Sequence, residues 1–274
     1  MAATRAMRAW GKLRTNYAWQ RTLVKAGRML EWTQPNSFLV LTTARAGTTL
    51  FVDYLNCHPR IRCHFEILGQ DHGFYGEPSN MGRERLKLHF ESFFVKRPSK
   101  LKGAKILNYH LDDLPIKLTD LIEILDRPKI LVLYRQQVLE QYISLAMAVR
   151  DGQGHVKKPT KSMPICIDPG AFVAYREREV RMWRENLAIL GDCGASSYYL
   201  TYEQLTSSNQ TTMAGVFQFL GLNPCAVRSR YVKQHPESLS NKLANYDEFV
   251  RHGIQPDELL HLPFSDSHSA SAAA

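Results

Sequence analysis

Phe38-Leu39-Val40-Leu41-Thr42-Thr43-Ala44-Arg45-Ala46-Gly47-Thr48-Thr49-Leu50-Phe51 reads as an apolar strand, a turn of small residues and the opening of a helix. Such a turn is built to hold an anion. Backbone N–H groups without an intrahelical partner point out of the helix start, and the helix dipole adds partial positive charge. Gly47 lets a phosphate approach the main chain closely, Thr48 and Thr49 add hydroxyls, and Arg45 adds a fixed cation. The common loop for nucleoside triphosphates closes on Gly-Lys-Ser/Thr, with Lys on the phosphates and the hydroxyl on magnesium. Here Thr48 stands where that Lys belongs, and the cation lies two residues ahead of the glycine.

The rest of the chain bounds what kind of anion this is. With 274 residues and 44% apolar content, the sequence can bury the core of one generous α/β domain. Lys and Arg outnumber Asp and Glu by 35 to 26, a net charge of +9 that suits an anionic ligand, a polynucleotide or an anionic surface. Zinc-finger spacing, RNA-binding aromatic signatures and long basic heptad helices are all missing, which argues against nucleic acid. The five cysteines, Cys57, Cys63, Cys166, Cys193 and Cys225, are odd in number and scattered, so reduced thiols are expected. Cys57-His58 and Cys63-His64 fit no common zinc spacing, so those two are expected as buried structural cysteines. His64-Phe65-Glu66 has the His-x-Glu of zinc deaminases, but the required second cysteine after Pro224-Cys225 is replaced by Arg228. No metal is expected.

Strand and helix patterns alternate along the chain. Strands are predicted at 37–43, 104–109, 129–134 and 196–202, with an extended piece near 61–65; helices are predicted at 48–57, 83–95, 116–125, 137–150, 171–190 and 210–220. This alternation implies right-handed crossovers and an α/β fold of three layers, αβα, about a central parallel sheet. Ligands of such sheets bind beyond the carboxyl ends of the strands, where the 42–49 turn lies. Three segments are expected: a basic N-terminal extension over 1–34, a domain over 35–262, and a Ser- and Ala-rich disordered tail over 263–274. The extension carries Arg5, Arg8, Lys12, Arg14, Arg21, Lys25 and Arg28 before its first acid, Glu31. A transit segment, a helix for peripheral membrane contact and an ordinary packed helix all fit it. No apolar run reaches the ~20 residues needed to span a bilayer, so a soluble chain is expected, cytoplasmic by default, with an organelle or Golgi location also compatible. Asp151 to Gly170 is rich in Gly, Pro and Lys and reads as a lid, an acceptor-binding loop or a plain solvated loop.

A second anion site follows the 129–134 strand. Arg135 ends it, and the next helix carries Gln141, Ser144 and Ala148 on neighbouring turns; an Arg at a strand end and a Ser on the following helix can converge on one phosphate. With this pair, residues 42–49 resemble the 5′-phosphosulfate loop of sulfotransferases that use 3′-phosphoadenosine 5′-phosphosulfate (PAPS), Thr-x-x-Lys/Arg-Ser/Ala-Gly-Thr/Ser-Thr. Arg135 and Ser144 are similar to that family's 3′-phosphate pair, and the eight residues between them resemble the bacterial and algal-type branch that includes trehalose and nodulation-factor enzymes. Tyr202-Glu203-x-Leu205, Phe219-Leu220-Gly221-Leu222-x-Pro224 and Lys233-Gln234-x-Pro236-Glu237-x-Leu239 extend the resemblance toward residue 250.

The resemblance implies the P-loop-like sulfotransferase fold, PAPS as co-substrate without metal, and transfer of SO3 to a hydroxyl of a carbohydrate, glycolipid or other small molecule. Thr43, Arg45, Ala46, Gly47, Thr48, Thr49, Arg135, Ser144 and Lys233 would hold the cofactor, Lys233 in place of the Arg-Lys-Gly segment of the cytosolic branch. Arg45 would also neutralise the leaving phosphate. Two residues compete as general base. Glu66, between Phe65 and Ile67-Leu68, is expected to be desolvated and so pushed up toward a useful basicity; His110 follows a strand as the catalytic His of the cytosolic branch does. A nucleotide-binding protein without catalysis and a small-molecule kinase are the alternatives.

Overall fold

The computed structural model describes residues 17–29, 37–68, 82–94, 101–113, 117–152, 163–229, 231, 237–255 and 258–262. Lys233, the tail beyond 262 and residues 153–162 of the 151–170 segment lie outside them. The elements are α1 (Tyr17–Met29), β1 (Ser37–Thr42), α2 (Thr48–Leu55), β2 (Ile61–Glu66), α3 (Arg83–Phe94), β3 (Leu101–Leu107), α4 (Asn108–Asp113), α5 (Leu118–Ile124), β4 (Lys129–Tyr134), α6 (Val138–Asp151), α7 (Pro169–Asp192), β5 (Ser197–Thr201), α8 (Tyr202–Ser207), α9 (Asn209–Phe219), α10 (Leu239–Lys242) and α11 (Tyr246–Arg251).

The fold is α/β: five parallel strands in the order β2-β3-β1-β4-β5, flanked by helices. The continuous apolar runs Phe38-Leu39-Val40-Leu41 and Ile130-Leu131-Val132-Leu133, all buried, are what a sheet covered on both faces requires. β1 is internal, and its neighbour on one side is β4, so the turns leaving these two strands open at the same edge.

The chain separates into two compact units. The first comprises Met1–Thr42, His58–Leu131 and Ile189–Ser197, and the second Thr43–Cys57, Val132–Ala188 and Tyr198–Ala274. In the first, β3 pairs with β1 from Ser37↔Lys102 to Thr42↔Leu107 and with β2 from Ile61↔Leu101, with an irregularity between His64 and Glu66. Here the strand differs from the expected 104–109. It starts earlier, at Leu101, because Gly103 belongs inside it: the Phe38 ring lies over this glycine, and a Cβ there would stand 2.1 Å from a ring carbon. It ends earlier because Asn108 opens α4, which carries Tyr109 and His110. The basic N-terminal stretch forms α1 over 17–29, packed on α3, where buried Gln20 meets His89 at 3.2 Å. In the second unit, Val138, Leu139, Ile143 and Met147 on α6 pack with Phe172 and Tyr175 on α7 and with Leu243, Phe249 and Ile254. No helix among the described residues is long and apolar enough to cross a membrane.

Candidate functional site

The second unit carries the residues expected to bind an anion, Lys233 apart. Arg45 and Gly47 both adopt the left-handed conformation, φ 63° and 77°. For a non-glycine residue that conformation costs ~1–2 kcal/mol, so the surroundings must hold it. Gly47 is the N-cap of α2 and, as a glycine, brings no side chain of its own to the amides of that helix start. Glycine is demanded there for a second reason. A Cβ at Gly47 would lie 2.3 Å from the ring of Tyr202.

Tyr202 is placed by its neighbours in sequence. Thr201 and Gln204 form a reciprocal capping box at the start of α8, with N–H···O distances of 3.1 Å and 2.9 Å, which fixes Tyr202 and Glu203 in the first turn. The Arg135 guanidinium then stacks on the Tyr202 ring, 4.6 Å from its centroid. Burial pushes the Tyr202 hydroxyl above its usual range, Glu140 and Glu203 push the same way, and Arg135 and Arg45 oppose.

The cations are individually anchored. Arg45 donates from Nε to Ser144 Oγ at 3.0 Å. Burial and then the like charge of Arg135 lower the pKa of its guanidinium, which shows how much positive charge is concentrated here. Arg135, 5% exposed, donates from Nη2 to Glu140 Oε2 at 2.6 Å. The other oxygen of Glu140 accepts from Lys242 Nζ, also at 2.6 Å. Among the described residues, the buried Nε of Arg135 has no hydrogen-bond partner. Glu203 accepts the N–H groups of Gln136 and Gln137 at 3.1 and 3.2 Å, so the start of α6 is already capped by a carboxylate. Gln141, expected only as a residue of this helix, reaches Thr43, Ala44 and Tyr175.

Thr43, Arg45, Ala46, Gly47, Thr48, Thr49, Arg135 and Ser144 thus belong to one unit, with Ser144 holding Arg45. Sequence reasoning missed the roles of Glu140, Lys242, Tyr202 and Glu203. Only Tyr202-Glu203 carries a signal, as a polar pair at a strand end.

The first unit carries both candidate bases. Glu66, at the end of β2, accepts from Lys105 Nζ at 2.6 Å. Its side chain is 36% exposed against 2% for Lys105, and its neighbour Phe65 is also exposed. The expected apolar sleeve is therefore replaced by an ion pair, because the register shift between His64 and Glu66 breaks the alternation that buries Ile61 and Cys63, leaving Phe65 exposed and Glu66 opposite Lys105 of the paired strand. His110 is fully buried in α4; its Nδ1 accepts the Leu107 N–H at 3.3 Å, and its ring meets Tyr109 edge-on at 4.6 Å. Cys63 is buried as expected, its thiol pushed up to about 12 by burial against the opposing effect of Lys105 and Arg62. Cys57 is exposed, contrary to expectation, Cys166 is exposed as well, and all five thiols are free. Among the described residues no three His, Cys, Asp or Glu gather as metal ligands.

No protein-family model and no curated protein matches this chain. Solved structures do. A sulfotransferase from Alicyclobacillus acidocaldarius aligns over 73% of this chain and 87% of its own, with 16% identity and TM-score 0.48. The sulfotransferase domain from the curacin biosynthetic pathway covers 85% of this chain and 94% of its own at 13% identity and TM-score 0.45. Mouse sulfotransferase SULT7A1, complexed with PAP, covers 70% of this chain and 61% of its own at 15% identity and TM-score 0.43. With TM-scores below 0.5 these likenesses carry no argument about activity, which rests on the residues themselves.

Proposed function

We propose that this protein transfers the sulfuryl group of PAPS to a hydroxyl of a carbohydrate, glycolipid or other small-molecule acceptor. The observation that carries the reading is the pair of guanidiniums in one unit, Arg135 buried and Arg45 part-buried, with Arg45 in the turn whose Gly47 is the N-cap of α2. PAPS has two separate anionic groups to match them. The amides of 47–49, with Thr48, Thr49 and Arg45, would hold the phosphosulfate; Arg135 and Ser144 would hold the 3′-phosphate, with Lys233, which lies outside the described residues, as a further contact. The unpartnered Nε of Arg135 fits a phosphate oxygen.

In the reaction an acceptor oxygen forms a bond to sulfur as the bond from sulfur to the phosphate oxygen breaks, in line. Arg45 stays charged throughout and stabilises the negative charge that collects on the leaving phosphate. Glu66 takes the proton of the acceptor hydroxyl. It is favoured over His110 because its carboxylate is part-exposed, whereas His110 is fully buried with Nδ1 occupied by a backbone N–H. No step calls for a metal.

Calorimetric titration with 3′-phosphoadenosine 5′-phosphate in metal-free buffer tests the reading. Micromolar binding that is lost in Arg135→Ala is the expected result. A preference for magnesium–ATP would replace the reading with that of a kinase, and no binding of either would overturn it.

A further inference from the structure

We infer that Gln141 is the positioning residue of the Arg45 turn: its side-chain amide locks Thr43 and Ala44 to α6 and thereby sets where the Arg45 guanidinium stands. This inference rests on the anion-binding reading of that turn. The Gln141 amide nitrogen lies 2.8 Å from Thr43 Oγ1, 3.0 Å from the Ala44 carbonyl oxygen and 3.0 Å from the Tyr175 hydroxyl. A carbonyl can only accept, so the nitrogen and not the oxygen of this amide faces the turn, and two N–H groups serve three oxygens. The side chain is 2% exposed, so no water competes for those hydrogens without opening the core.

The placement matters because Arg45 comes directly after Ala44. It holds φ 63°, a conformation that a free turn of non-glycine residues leaves readily. Gln141 fixes the two residues just before it, and Ser144, one helical turn further along the same face of α6, fixes the guanidinium at 3.0 Å. One helix therefore grips both ends of this residue, main chain and side chain. Glu140, on the same turn as Gln141, grips Arg135 at 2.6 Å. The two cations are spaced by a single rigid element. Tyr175, which receives the third contact, sits in the buried α6–α7 core and ties Gln141 itself in place.

Two measurements test this, one with ligand and one without. Gln141→Met keeps the volume and removes the donors. Its affinity for 3′-phosphoadenosine 5′-phosphate should fall about tenfold, and in an Arg45→Lys background the same change should cost less than about twofold, since a residue acting through Arg45 has nothing left to position. In the ligand-free protein, hydrogen exchange over 43–51 should speed up in Gln141→Met while exchange over β4 stays unchanged. Wild-type affinity in Gln141→Met, an equal loss in both backgrounds, or unchanged exchange over 43–51 each overturns the inference. If the wild type binds no nucleotide, the anion reading fails and the exchange result alone decides the positioning role. Gln141→Asn, which keeps the amide but shortens its reach, takes the place of the Met variant should the latter not fold, with the same expectations.

Discussion

The candidate anion-binding residues of the second unit and the candidate base of the first are built in different ways. Arg135 is buried and Arg45 part-buried, each meets an oxygen of α6, and Arg135 also stacks on Tyr202. Glu66 is over a third exposed and pairs with Lys105 at the rim of its strand. Groups that hold a fixed, highly charged ligand gain from being preorganised, because no reorganisation is then needed as charge moves. A base must instead meet an acceptor hydroxyl that arrives and departs, and partial exposure leaves it reachable.

The comparison can be broken most forcefully at Arg135. Arg135→Ala should abolish measurable nucleotide binding and also destabilise the protein by ~1–3 kcal/mol, because it withdraws one of two cations from the part-buried Glu140 carboxylate; chemical denaturation beside calorimetry separates the two effects. Glu66→Gln should reduce turnover by ~10²–10⁴ with nucleotide affinity near wild type, and it should also lower stability because it takes the carboxylate from the buried Lys105 ammonium. Retained turnover there would remove Glu66 from the mechanism. A subtler contrast comes from two glycines. Gly47→Ala places a Cβ 2.3 Å from Tyr202 at φ 77°, and Gly103→Ala places one 2.1 Å from Phe38. Each should destabilise by roughly 2 kcal/mol or more, but only the first should weaken nucleotide binding, as read by unfolding midpoints and titration of both variants.

The smallest effect concerns Cys63. Its thiol, raised from 9.0 to about 12 in the folded protein, binds its proton more tightly than in the unfolded chain. The contribution is therefore fully present below pH 9 and is lost as pH rises from 9 toward 12. Cys63→Val should flatten the alkaline fall in melting temperature over that window, while Cys57 and Cys166, which are exposed, should react with a thiol reagent at neutral pH and Cys63 should not.

Some of this is legible in the sequence and some is not. β4 is expected at 129–134 and forms over Lys129–Tyr134, since an unbroken apolar run between polar residues leaves one placement. β3 is harder to place because Leu101-Lys102-Gly103 reads as a loop until Phe38 is known to lie over Gly103. The phosphate-loop residues are contiguous and therefore readable. The carboxylates that hold the site are not: Glu140 meets Lys242 across 102 positions, and no local pattern marks such a pair. The environment of Glu66 differs from expectation for a related reason, since its chain neighbours are apolar whereas its spatial neighbour is Lys105.

Glu203 has an effect that reaches beyond its two hydrogen bonds. It ties down the amides of Gln136 and Gln137 at the entry to α6, whereas Gly47 at the entry to α2 has no side chain of its own to set against its helix. On the proposed reading the anion would therefore sit on the main chain of α2 and not of α6, and a ligand with dissimilar charged ends would go in one way round.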